Sequence, residues 1–229
     1  MNIPKRFIVI CEGKSDRAYL LALQSLLDGV LRPPDGWDEA PVRFIPRPEP
    51  SGVKTGYYDE VVPAYKKERG KYPNDETLVW VDSDVYIWNV QRKGIGNGDA
   101  YRRRDKEDVP AFYFSYHKFE DFLALHCEPR VFERWKNVMR ESGHLQCRPL
   151  SRSDYAPVFQ KVLPHYSKSM LPAGIVGEDG LLNLQKNSMD IEVMAAEALY
   201  PDGVPFAKFL VGILKEYYPS LFEQETGYE

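Results

Sequence analysis

The chain has 229 residues, 43% of them hydrophobic and 28% charged, with a formal net charge of −4. This length fits one large domain, or a domain plus a substantial appendage, with enough apolar residues for an ordinary core. No run of about 18 apolar residues occurs, which argues against a membrane-spanning helix, and three cysteines without framework spacing point to a reducing cytoplasm rather than a disulfide scaffold.

The first apolar run, Phe7-Ile8-Val9-Ile10-Cys11, is too short for a signal-peptide core and reads as a strand buried on both faces. Ser15 is a plausible N-cap for the helix that follows, with Asp16 in its first turn. Ala18, Leu21, Ala22, Ser25, Leu26 and Val30 then keep helical spacing. Arg32-Pro33-Pro34-Asp35-Gly36 stops that helix. Val42–Ile45 is a second strand, ended by a proline-rich loop from Pro46 to Gly52. A helix over about Tyr57–Glu68 turns Val61, Val62, Ala64 and Tyr65 inward. Leu78–Val81 and Ala111–Ser115 are further strands, and Lys118–His126 is an amphipathic helix with Phe119, Phe122, Leu123 and Leu125 inward. The region from Ile87 to Val109 is polar, glycine-bearing and long for a connection, as functional loops are.

Beyond Cys127 the pattern turns helical, at about Pro129–Ser142, Tyr155–Tyr166, Leu181–Leu199 and Pro205–Tyr217. The expected class is therefore α/β: a mainly parallel sheet flanked by helices over residues 1–128, and a helical C-terminal layer or subdomain over 129–229 packed on it.

Chemistry concentrates where the apolar runs break off. The first leads into Glu12-Gly13-Lys14-Ser15-Asp16, and Leu78–Val81 leads into Asp82-Ser83-Asp84. Carboxylates at the carboxyl ends of parallel strands sit in the crevice where open α/β sheets bind ligands. Acids converging there suit a hard divalent cation. On a strand, Asp82 and Asp84 would face the same way, although aspartates also serve as turn or helix caps. Lys14 could meet a phosphate. A third block, Ser115-Tyr116-His117-Lys118-Phe119-Glu120-Asp121-Phe122-Leu123-Ala124-Leu125-His126, places Ser115 at a strand end and Glu120 in the first turn of a helix. His126 reads as a hydrogen-bonded core histidine or a substrate contact, the core being favoured. Basic residues cluster at Lys66, Lys67, Arg69 and Lys71 and at Arg102, Arg103, Arg104 and Lys106. Such clusters are usually solvated faces, and the second is better placed for phosphate because it follows Asp84.

The order of these blocks resembles the Toprim domain of topoisomerases, DnaG-type primases, small ribonucleases and the overcoming-lysogenization-defect nucleases. The Ser115–His126 block is similar to the S-x-P-x-F-E-x-W-L-x-L-H segment of the RloB-like proteins, a bacterial group associated with restriction loci and phage defence. Tyr116-His117-Lys118 lacks that family's proline, and Phe122 stands at its usual tryptophan. Where many Toprim domains carry another acid or glycine after the DxD pair, this chain has Val85-Tyr86-Ile87-Trp88.

The resemblance covers roughly residues 5 to 128. It implies a phosphodiester site using one or two Mg²⁺ or Mn²⁺ ions, with Glu12 the invariant acid, Asp82 and Asp84 the DxD pair, and Glu120 a ligand for a second cation. Asp16, Ser115 and His126 are supporting candidates. Lys14, Lys118, Arg102, Arg103 and Arg104 would meet nucleic-acid phosphates.

The expected activity is that of a nuclease in anti-phage defence, acting on RNA such as tRNA or on DNA. A companion ATPase or restriction protein could be a partner, because the chain has no Walker A pattern. Two rivals stand beside it: a non-catalytic nucleic-acid- or partner-binding module, and a glycosyltransferase using the DxD pair for Mn²⁺ and a diphosphate.

Overall fold

The computed structural model describes residues 2–29, 31, 33–50, 52–54, 56–84, 111–143, 157–164, 166–167, 171–197 and 204–223. Strands β1 (Lys5–Cys11), β2 (Val42–Arg47), β3 (Glu76–Asp82), β4 (Ala111–Ser115) and β5 (Val204–Pro205) form one sheet in the order β2-β1-β3-β4-β5. Every pairing is parallel. The chain steps from β1 outward to β2 through α1 (Lys14–Gly29), then returns across β1 to β3 through α2 (Tyr58–Lys71). The direction of winding therefore reverses between β1 and β3, and that switch point opens a crevice at the carboxyl ends of the two strands.

Alternation along the strands sorts the core onto two faces. Phe7, Val9, Cys11, Leu78 and Trp80 face the larger cluster, which takes in Tyr19, Leu20 and Leu23 of α1 and most of the C-terminal half. Ile10, Val79, Val81, Phe112 and Phe114 face a smaller cluster closed by Val61 and Tyr65 of α2. Helices α3 (Phe119–Ala124), α4 (Pro129–Glu141), α5 (Glu178–Asn187), α6 (Ile191–Glu197) and α7 (Phe206–Tyr217) follow, with a short 3₁₀ turn at Pro219–Leu221.

The C-terminal half is tied closely to the sheet. Phe206 stacks on Trp80 with ring centroids 4.0 Å apart. Asn187 donates to the carbonyls of Leu125 and Cys127 at 3.0 Å each, satisfying the orphan acceptors behind α3. Among the described residues no helix is long and apolar enough to cross a membrane.

The α/β class with a mainly parallel sheet and a helical C-terminal part is the one observed. Several local expectations are corrected. β2 runs through Pro46 to Arg47 rather than stopping at Ile45; an edge strand tolerates a residue without an N–H. Helix α1 begins at Lys14, so Ser15 lies inside it, and the first turn is closed by Asp16, whose carboxylate accepts the Gly13 N–H at 2.7 Å. The buried face of α1 is Tyr19, Leu20, Leu23, Leu26 and Leu27, while Leu21 is exposed. The large side chains bury more area than the alanine and serine positions with the same spacing.

The single helix expected over Leu181–Leu199 is two, α5 and α6. Asp190 breaks it by accepting the N–H groups of Glu192 (2.9 Å) and Val193 (3.4 Å) as an N-cap. Pro205 belongs to β5, and α7 starts at Phe206. Of the helix expected over Tyr155–Tyr166, residues 157–160 are helical and 161–164 are not; 155, 156 and 165 lie outside the described residues. The segment Ile87–Val109 lies outside them as well.

Candidate functional site

The turn after β1 sets Glu12 beside the end of β3. Its carboxylate accepts the Asp82 N–H at 3.0 Å and a second backbone N–H from Gly56. The loop behind β2 straps this turn down: the Val53 N–H donates to the Cys11 carbonyl (3.0 Å) and the Lys54 N–H to the Glu12 carbonyl (2.9 Å). Gly52 makes the approach possible. Its φ is +79°, and a Cβ there would lie 2.7 Å from the Cys11 oxygen. Arg17, itself buried, anchors the strap by donating to the carbonyls of Pro46 (2.7 Å) and Pro48 (3.3 Å).

Strand β3 ends at Asp82, opposite Ser115 on β4. Ser83 and Asp84 already have helical conformation, so strand alternation does not orient the aspartate pair as expected. The turn is instead held against the segment between β4 and α3. Ser83 Oγ donates to the Tyr116 carbonyl and the Asp84 N–H to the His117 carbonyl at 3.3 Å. Lys118 Nζ donates to Asp84 Oδ2 at 2.7 Å. Lys118 occupies the N-cap position of α3. Asp121, at N3, closes that helix by accepting the Lys118 backbone N–H at 3.0 Å, and its other oxygen accepts the Trp135 indole N–H at 3.1 Å.

Proximity of the acids shows in their proton affinities. Burial, then the Glu12, Asp84, Asp16 and Glu120 carboxylates, push the Asp82 carboxyl well above the usual carboxylate range. Asp16, also buried, is raised by burial and by Glu12 and Glu120. Glu12 is raised from 4.5 to about 7, burial being the main cause and Asp84 adding to it; the Asp82 N–H and Lys118 work in the opposite direction. For Lys118, burial favours the neutral amine, but Asp84 and then Asp82 and Asp121 outweigh it and the ammonium is strengthened. Glu120 accepts a hydrogen bond from the Tyr166 hydroxyl at 3.3 Å, and Tyr166 is bonded to Ser15 as well.

The fold thus brings Glu12, Asp16, Asp82, Asp84, Glu120 and Lys118 together. Ser115 lies beneath them, its Oγ accepting the Trp80 indole N–H at 3.0 Å. Lys14 is exposed at the start of α1. His126 is buried in the core instead. Its Nδ1 donates to the Phe122 carbonyl at 3.0 Å, which leaves Nε2 to accept from the Tyr19 hydroxyl at 2.8 Å. Burial lowers its pKa from 6.5 to about 4, so the ring is neutral. Phe122, at the expected tryptophan position, packs edge-on against Trp80 and Tyr19. Arg102, Arg103 and Arg104 lie outside the described residues. Lys66, Lys67, Arg69 and Lys71 form a solvated face of α2.

Sequence reasoning missed the strap residues Gly52, Lys54 and Gly56, and also Tyr166, which reaches the site from the C-terminal half. Gly52 carried a local signal, a glycine closing a proline-rich loop; Tyr166 carried none.

A divalent cation suits this donor set in kind. The set consists of carboxylate oxygens, held in a desolvated crevice where each raises its neighbour's proton affinity. As the side chains stand, no three of the described His, Cys, Asp and Glu residues form a ready ligand set; Glu12 is turned onto backbone N–H groups and Asp84 onto Lys118. Comparison with family models, curated proteins and solved structures returned no significant match.

Proposed function

We propose that this chain is a Mg²⁺- or Mn²⁺-dependent endonuclease of the RloB-like Toprim kind, acting on nucleic acid in bacterial defence against phage. The observation that carries the reading is the meeting of Glu12 and Asp82 at the switch point of a parallel sheet, with Asp84 and Glu120 close enough for mutual repulsion to raise the proton affinity of the group. Buried like charges are costly and persist where a ligand offsets them.

In this reading Glu12, Asp82 and Asp84 hold one cation and Glu120 contributes to a second. The bound cations would supply Lewis-acid chemistry, making a water more acidic and offsetting charge on the leaving oxygen. Gly56 and the strap orient Glu12, Tyr166 orients Glu120, and Lys14 and Lys118 face the flanking phosphates. RNA such as tRNA and DNA are both candidate substrates.

The test is cleavage of plasmid, single-stranded DNA and total tRNA with Mg²⁺ or Mn²⁺, wild type beside Asp82→Asn and Glu120→Gln. The expected result is metal-dependent cleavage reduced on the order of 10²-fold or more in Asp82→Asn. Cleavage that persists in EDTA, or in both folded variants, would overturn the reading.

A specific observation favours a second reading. Lys118 already supplies positive charge at Asp84, so the crevice could serve a non-catalytic module that holds nucleic acid or a partner without metal. Tight, unproductive nucleic-acid binding that survives EDTA would select it.

A further inference from the structure

The lysine at the start of α3 breaks a local rule. The N-cap position favours Ser, Thr, Asp or Asn, and a cation there opposes the helix dipole. Lys118 fills it with extended backbone (φ −137°, ψ 165°) and no side-chain capping bond, so the capping work falls to Asp121. Its ammonium instead crosses to the end of β3 and pairs with Asp84 Oδ2 at 2.7 Å, with the lysine side chain only 11% exposed. The same charge reaches Glu12 and Asp82. A locally unfavourable residue placed at a site of clustered acids calls for a role there.

We propose that Lys118 is the resident counter-cation of the crevice: it neutralises Asp84 while the site is metal-free and is displaced from that carboxylate when a divalent cation binds. This inference rests on the metal-dependent reading above. Two positive groups cannot share Asp84 without repelling one another, so cation affinity is set by competition with the ammonium. The latch formed by the Ser83 hydroxyl on the Tyr116 carbonyl and the Asp84 N–H on the His117 carbonyl keeps the turn in place as the lysine leaves. Only the side chain has to move. Once released, the ammonium remains at the rim of the crevice, where a substrate phosphate would meet it.

The test is direct Mn²⁺ binding, read by electron paramagnetic resonance and calorimetry, on wild type, Lys118→Met, Lys118→Arg and Asp82→Asn. Removing the competitor should tighten Mn²⁺ binding roughly tenfold in Lys118→Met, the factor of one charge-assisted hydrogen bond that no longer has to be broken. Lys118→Arg, which keeps the charge, should stay near wild type, and Asp82→Asn should lose Mn²⁺. Thermal shifts give a second readout: Mg²⁺ should stabilise metal-free Lys118→Met more than wild type.

Unchanged or weaker Mn²⁺ binding in Lys118→Met, with binding lost in Asp82→Asn, would overturn the counter-cation role and leave the metal-dependent reading intact. Equal tightening in Lys118→Arg would also overturn it. Absence of Mn²⁺ binding in wild type and Lys118→Met alike, at millimolar metal, would sink both proposals. Should Lys118→Met fail to fold, Lys118→Gln makes the same comparison with a neutral polar side chain.

Discussion

The acid crevice and the Tyr19–His126 pair share two segments of chain, α1 and the stretch around α3, yet they handle buried polarity in opposite ways. In the core pair each polar atom meets its complement: Nδ1 donates to the Phe122 carbonyl and Nε2 accepts from the Tyr19 hydroxyl. The ring is neutral, and nothing further is needed to make the site stable. In the crevice Asp16 and Glu120, carried by those segments, face Glu12 and Asp82. Like charges accumulate there. Satisfied buried polarity is architecture, whereas buried charge that its neighbours oppose is where a ligand belongs.

The largest way to test this contrast is to break the architectural half. His126→Ala leaves the Tyr19 hydroxyl buried without its acceptor and opens a cavity among Phe122, Tyr19 and the surrounding core. Loss of about 3 kcal/mol is expected from the two effects together, measured by denaturant unfolding. Cation binding should be unaffected in whatever fraction remains folded. The pH dependence has a definite sign. The folded pKa of His126, about 4, lies below the ordinary 6.5. Its contribution is therefore complete above 6.5 and lost as the pH falls through 4. A variant with unchanged stability would remove His126 from the architecture.

The crevice should respond with the opposite sign. Glu12 is raised from 4.5 to about 7 in the folded state, so its contribution is present below 4.5 and disappears as the pH climbs through 7. In EDTA, stability should fall between about pH 5 and 8, and Glu12→Gln should flatten that fall. At the upper end the variant should be more stable than wild type by on the order of 1–2 kcal/mol, discounted for the partial exposure of the side chain. Mg²⁺ should restore wild type and do less for the variant. A flat pH profile for wild type in EDTA would mean that the acids are not strained against one another.

How much of this was legible beforehand depended on the range of the interaction. β1, β3 and β4 were readable because strands buried on both faces appear as uninterrupted apolar runs, and the acids at their ends could be placed on one edge by the direction of a parallel sheet alone. β5 was not, because Val204–Pro205 is two residues long and gains its pairing from β4 rather than from its own composition. The break at Asp190 was readable in principle, since an aspartate ahead of Ile191 and Glu192 is an N-cap signal; the strong apolar spacing on both sides concealed it. Tyr166 on Glu120 and Lys118 on Asp84 were beyond reach, for each is a side-chain contact across 46 and 34 residues. His126 shows the same limit: its twelve-residue block gives its position, but only the packing of Tyr19 against it decides between core and site.

The smallest expected effect concerns the strap, which serves the crevice without carrying its charge. Lys54 has φ +77°, a conformation that costs an L-residue roughly 1 kcal/mol or more and glycine nothing. Its N–H is committed to the Glu12 carbonyl, so the backbone conformation is fixed by the site rather than chosen by the residue. Lys54→Gly should relieve that strain and keep the hydrogen bond. Glycine's greater freedom in the unfolded chain offsets part of the gain, leaving a net stabilisation of about 0.5 kcal/mol. Because none of the acids is touched, the pH slope in EDTA and the Mn²⁺ affinity should match wild type. A changed slope would mean that the strap sets the charge balance of the crevice as well as its shape, and the division between shape and charge would then have to be redrawn at Glu12 itself.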